Sequence, residues 1–135
     1  MRADILFRGI CKKKEEFVYG GYAQQGHKSY IINNGAMVGD KREFDIIEVI
    51  PETVGQYIGF RDTATIEIFE HDLMAVYYPS GTVRFGVQRK DGERFVICEK
   101  DKWIIEDINT PGVRVEVLGN IWENKELYEG LKGDQ

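Results

Sequence analysis

Only two cysteines and two histidines occur in 135 residues. Cys11 and Cys98 are far apart and fit no zinc or redox spacing, which leaves two isolated thiols suited to a reducing compartment. Serine is equally scarce. Ser29 lies near His27 and Ser80 stands in a turn, but neither sits in a strand–turn–helix nucleophile elbow, and neither cysteine has a histidine beside it. The glycines form no phosphate-binding loop, because no strand-to-helix transition follows them. Long apolar stretches are also missing. The longest strictly apolar run, Leu73 to Tyr78, is far short of a membrane span. Ile5, Leu6, Phe7 and Ile10 are interrupted by Arg8, so no signal-peptide core is expected.

Basic excess is absent too. The formal net charge is −5 and the isoelectric point is near 5.1. Affinity for a nucleic-acid backbone comes mainly from cation clusters that release counterions, so this balance argues against such a partner. Charge is partly segregated, with Arg2, Arg8, Lys12, Lys13, Lys14 and Lys28 early and Glu123, Glu126, Glu129 and Asp134 late. The run from Lys12 to Glu16 reads as a solvated turn.

What remains is a β pattern. Apolar residues alternate over short stretches separated by turn residues. Strands are expected at Asp4–Ile10, Phe17–Ala23, Lys28–Ile32, Phe44–Ile50 and Val54–Phe60, then at Leu73–Tyr78, Thr82–Gln88, Arg94–Glu99, Trp103–Asp107 and Arg114–Leu118. Asp91-Gly92 predicts a two-residue hairpin turn with both residues at positive φ. Asn33-Asn34-Gly35 and Val38-Gly39-Asp40 read as loop, and Pro79-Ser80-Gly81 and Asn109-Thr110-Pro111-Gly112 as turns. One short helix is expected over Lys125–Leu131, capped by Asn124 and apolar along Leu127, Tyr128 and Leu131. The segment from Leu73 to Leu118 has the strand lengths of a small five-stranded SH3-like barrel, with an open sandwich as the alternative. The expected organisation is an N-terminal β-lobe over residues 1–60, the barrel over 61–122, and a helix and tail over 123–135. Phe85 and Trp103 are expected in the barrel core.

Three stretches, in order, carry a family resemblance. Ile5-Leu6-Phe7-Arg8-Gly9 leads to Phe17-Val18-Tyr19-Gly20. Pro51-Glu52-Thr53-Val54-Gly55-Gln56-Tyr57-Ile58-Gly59 continues into Glu67-Ile68-Phe69-Glu70 and Asp72. Val115 to Asn124 forms the closing stretch. Together they resemble the YopX family, small proteins encoded by bacteriophages and prophages. The resemblance implies an SH3-type barrel, a phage or prophage origin and no established activity, so it brings no catalytic residues. The sequence departs from that pattern twice. The family has a glycine in the turn where this chain has Thr63-Ala64-Thr65-Ile66, and another where it has His71, which suggests a reshaped turn. Gly55 and Gly59 suit a bulge or a close backbone approach. Asp72, Asn120 and Asn124 suit bonds to neighbouring backbone amides.

Candidate chemistry is sparse. Glu67, Glu70, His71 and Asp72 could serve a metal-dependent hydrolase, but Glu70-His71-Asp72 are consecutive and would point to alternating faces of a strand. A turn cluster accounts for them better. The binding candidates are Tyr77 and Tyr78, one of which must face outward, with Arg84, Arg89 and Arg94 of the adjoining hairpin. The resulting expectation is a mainly β, non-enzymatic protein of the bacterial cytoplasm, without cofactor or metal, that binds a host or phage protein. The alternatives are a single-stranded nucleic-acid binder and the metal-dependent hydrolase.

Overall fold

The computed structural model describes residues 6–39, 41–99, 102–105 and 108–133. Among the described residues, eleven strands and one helix fall into two units that meet in sequence between Tyr57 and Ile58. The first unit holds β1 (Phe7–Ile10), β2 (Phe17–Gln25), β3 (Lys28–Val38), β4 (Lys41–Val49) and the start of β5 (Gly55–Arg61), in the spatial order β4-β3-β2-β1-β5. Every pairing recorded within it is antiparallel. Asn33, Asn34 and Gly35 continue β3 instead of leaving it as a loop. The register shifts between Asn34 and Met37, so a bulge absorbs the turn-prone residues while the ladder to β4 goes on.

The core of this unit explains two of the sequence signatures. Ile31 and Val49 are fully buried, and a β-carbon on Gly9 would stand 2.9 Å from Val49 Cγ2, so the opening Phe-Arg-Gly stretch needs its glycine for packing. Arg8 is buried with its guanidinium 4.4 Å from the Phe17 ring centroid. A short 3₁₀ turn at Pro51–Thr53 precedes β5. There the Thr53 hydroxyl donates to the Ile50 carbonyl at 2.6 Å and accepts the Ile10 N–H at 2.9 Å, tying the turn to β1.

The second unit holds the rest of β5, then β6 (Glu67–Phe69), β7 (Asp72–Tyr77), β8 (Val83–Asp91), β9 (Arg94–Glu99), β10 (Lys102–Ile105), β11 (Arg114–Asn120) and α1 (Lys125–Gly133). Five of these strands form an antiparallel sheet in the order β10-β9-β8-β7-β11. Among the described residues no pairing joins β10 to β11, so the expected barrel closure is not seen. The chain is mainly β, with antiparallel sheets and one short helix. One face of the sheet carries Met74, Val76, Ile97 and Val115, packed with Ile58, Ile68 and Ile105. At one end of the other face, Leu73 and Val87 join Ile121, and Tyr128 and Leu131 of α1 cover them. The helix therefore belongs to this unit.

The turns follow the expected chemistry with one shift. Asp91 stays in β8 and pairs with Arg94, so the two central residues of the hairpin are Gly92 and Glu93. Only Gly92 has positive φ, at 64°, which places the glycine at the first central position as a type II′ turn requires. At the turn between β6 and β7 the Asp72 carboxylate accepts the Phe69 N–H at 2.8 Å. Thr65, in the turn Thr63–Ile66, and His71 have left-handed backbone at φ 66° and 77°, a region that favours glycine.

The end of β11 is organised by two asparagines. Asn120 Oδ1 accepts the Trp122 and Glu123 amides at 3.0 and 2.8 Å. Asn124 Oδ1 reaches back to the Asn120 N–H at 3.0 Å, while the Asn124 carbonyl takes the first helical bond from Tyr128 N. Asn124 thus occupies the cap position, but its side chain bonds the preceding strand and not the helix N-terminus.

Candidate binding groove on the second unit

The exposed end of the second sheet face is built from cross-strand rows. Register places Val83, Tyr77 and Arg114 side by side, and beside them Phe85, Ala75 and Glu116. The next row contains Val87 and Leu73, which α1 covers. Alternation keeps all three rows on one face, but the helix reaches only the last. Val83 and Phe85 are consequently 42% and 40% exposed. Phe85 is therefore not a core residue, contrary to the expectation from its place in the alternating strand. The side chain of Trp103 lies outside the described residues.

At the open end the charges are fixed by Tyr77. Its hydroxyl donates to Glu116 Oε1 at 2.5 Å, and the Arg114 guanidinium lies 5.5 Å from its ring centroid. The bond to Glu116 raises the Tyr77 pKa above its ordinary value, since the neutral phenol is the donor; partial burial and the Glu116 charge add to this and Arg114 opposes it. Beside this array, Thr63 and Ala64 complete the wall of an open cavity of about 360 Å³. A second cavity of about 200 Å³ shares Thr63 and Arg114 and is lined by Phe60, Ile108 and Val113.

The loop that forms this wall is held by a buried carboxylate. Asp62 Oδ1 accepts the Ala64 and Ile66 amides at 2.9 and 2.8 Å, and Oδ2 accepts the Val117 N–H at 2.8 Å. Thr63 adds its amide and hydroxyl to the Val115 carbonyl at 3.1 and 2.9 Å. These bonds satisfy the outer edge of β11, which would otherwise present unpaired backbone groups.

The residues singled out from sequence are dispersed. Tyr77 lines the groove, whereas Tyr78 packs against the core and donates to the Ile104 carbonyl at 3.0 Å. Arg84 pairs with Glu99, on the face opposite Phe85. Arg89 contacts His71 Nδ1 at 3.3 Å and the Tyr128 hydroxyl at 3.4 Å, next to α1. Arg94 pairs with Asp91 at 2.8 Å. Each arginine has a local partner, and the three do not converge on one surface. The acidic cluster is divided as well. Glu67 pairs with Arg61 at 3.4 Å, Asp72 holds its turn, and His71 meets the Trp122 ring edge-on at 5.7 Å between centroids. Among the described residues no group of three or more His, Cys, Asp or Glu side chains converges to hold a metal. A charged residue in an isolated strand carries no sign of its neighbours, so Arg114 and Glu116 become visible as groove residues only through the pairing of β11 with β7.

Among the described residues no helix is long and apolar enough to cross a membrane. No curated protein matches the sequence. Among solved structures, the chain is similar to the crystal structure of protein EF1440 from Enterococcus faecalis. The two are 19% identical with a TM-score of 0.57, over 91% of this chain and 96% of that one. At that identity the likeness concerns the fold alone. Residues 6–129 match the family model described as YopX protein. That match covers nearly the whole chain, and the chain belongs to the YopX family.

Proposed function

We propose that this protein is a non-enzymatic interaction module of bacteriophage or prophage origin, which binds a host or phage protein in the bacterial cytoplasm. The observation that carries this reading is the open end of the second sheet. Two large apolar side chains, Val83 and Phe85, stand exposed beside a fixed Arg114–Tyr77–Glu116 array and an open cavity. Aromatic, aliphatic and arginine groups grouped at one concave surface are the usual anchors of protein recognition. The catalytic-type residues, by contrast, hold turns or pair locally. An SH3-like relation of the second sheet, implied by family resemblance, fits the same reading, since small β-domains commonly bind extended segments.

Affinity capture from a lysate of the host cell, with and without nuclease, tests this. The expected outcome is a protein retained by the wild type after nuclease treatment and lost from a Phe85→Asp variant that remains folded. Retention that vanishes with nuclease would instead support the nucleic-acid reading. No retained protein at all would count against an interaction role.

A further inference from the structure

The charges around the groove cancel locally except at one point. Arg61 is paired with Glu67. The Asp62 carboxylate is used by three backbone amides, and Glu116 is engaged by the Tyr77 hydroxyl. Arg114 makes no ion pair among the described residues. It is exposed, held over the Tyr77 ring, and borders both cavities. A guanidinium placed this way keeps its fork of N–H donors for an incoming planar anion, and the ring beneath it limits its rotamer freedom. The smaller cavity has a mixed wall, in which Phe60, which is 44% exposed, Ile108 and Val113 stand among Arg61, Asp62, Thr63 and Asn109.

We propose that this groove takes an extended peptide segment in which a carboxylate side chain, bound by Arg114, stands next to an apolar side chain seated against Phe60, Ile108 and Val113. This rests on the interaction-module reading and names the chemistry of the partner. A phosphate would also suit Arg114. However, a nucleic-acid backbone draws its affinity from many cations acting together, and here a single unpaired arginine sits on a chain of net charge −5. One carboxylate beside one apolar group matches the lining without leaving a charge unpaired.

The test is selection of short random peptides displayed against the purified full chain, followed by anisotropy titration of the best labelled peptide. The expected result is enrichment of Asp or Glu within two positions of an apolar residue. Arg114→Glu should weaken the selected peptide by about tenfold or more, as should replacing its acidic residue by the amide, and the two losses should not add. Arg114→Gln serves as a second variant, and circular dichroism with a urea midpoint checks that each is folded. Enriched peptides without acidic residues, no enrichment, indifference to the Arg114 variants, or tighter binding of a labelled single-stranded oligonucleotide would each overturn the proposal. If Arg114→Glu still captures the wild-type partner from lysate, the peptide chemistry fails while the interaction reading stands. If the wild type captures nothing, the failure lies in that reading itself.

Discussion

The Asp62 carboxylate accepts the Val117 amide at 2.8 Å across a sequence separation of 55 residues, and so fastens the loop after β5 to the outer edge of β11. The same carboxylate holds Ala64 and Ile66. Replacing it leaves backbone donors without an acceptor in a place where Asp62 itself is 6% exposed. Asp62→Ala is expected to cost about 3 kcal/mol, from the roughly 1–3 kcal/mol attached to each buried group left unsatisfied. Asp62→Asn retains one oxygen acceptor and should lie between the two. Urea midpoints of the three proteins give the order, and equal midpoints would exclude a stabilising role for the carboxylate.

Gly119 is required by its neighbour. A β-carbon there would stand 2.3 Å from Asn124 Oδ1, the atom that bonds the Asn120 amide. Gly119→Ala should therefore displace the Asn124 side chain and release the strand end from the start of α1, costing about 1–3 kcal/mol. Asn124→Ala removes the obstacle and the bond together. The double variant is expected to be less destabilised than the sum of the two single ones, and simple additivity would mean that the clash is relieved elsewhere.

Thr65 and His71 occupy a backbone region that costs a non-glycine residue roughly 1–2 kcal/mol. Thr65 is exposed, and among the described residues its side chain bonds the neighbouring Ala64 carbonyl alone, so Thr65→Gly should raise stability by up to about 1 kcal/mol after the entropy of glycine is deducted. His71→Gly gains similarly in the backbone but loses the Trp122 and Arg89 contacts, which should bring the net change close to zero. A higher urea midpoint for the first variant and an unmoved one for the second is the pattern to look for.

Phe85 separates what the sequence could convey from what it could not. Its alternation with Val83 and Val87 correctly places the three on one sheet face. Whether that face is covered depends on where α1 lands, and no feature of strand β8 encodes that. The helix covers Val87 and stops short of Phe85. Local signals reached further elsewhere, although the hairpin turn is centred on Gly92-Glu93 and not on the expected Asp91-Gly92. Gly92 marks its hairpin, and Asp72 and Asn120 bond backbone amides close in sequence. Relationships across the sheet were not legible. The Val83–Tyr77–Arg114 row exists only because β8, β7 and β11 are neighbours, and strand order is a property of the whole fold. Barrel closure is a question of the same kind. Asn33-Asn34-Gly35 shows the converse, a turn-prone sequence drawn into a strand by pairing with β4.

A stability comparison follows from that exposure. Phe85→Ala should cost about 1 kcal/mol, because a side chain 40% exposed has less apolar area to lose than a core one. Leu73→Ala, fully buried under α1, should cost about 2–5 kcal/mol. Loss of comparable size in both variants would mean that Phe85 is covered after all.

The pH response of Tyr77 tests the geometry of the groove. Its pKa lies above the ordinary tyrosine value of 10.0, first because the neutral hydroxyl donates to Glu116, and then because of partial burial and the Glu116 charge. A group whose folded pKa is raised contributes stability that is complete below its unfolded pKa and is lost as pH rises through the folded one. Tyr77 should thus help stability at neutral pH and cease to do so only in the strongly alkaline range above 10. In a tyrosinate absorbance titration, the difference between wild type and Tyr77→Phe isolates this residue, and its transition should fall above that of an exposed tyrosine. Glu116→Gln removes the acceptor charge and should bring the transition back toward the ordinary range. Arg114→Gln removes the one opposing influence and should move it higher. A Tyr77 transition indifferent to Glu116 would mean that the hydroxyl and carboxylate are not bonded in solution, and that Arg114 and Tyr77 are not held in the arrangement on which peptide recognition depends.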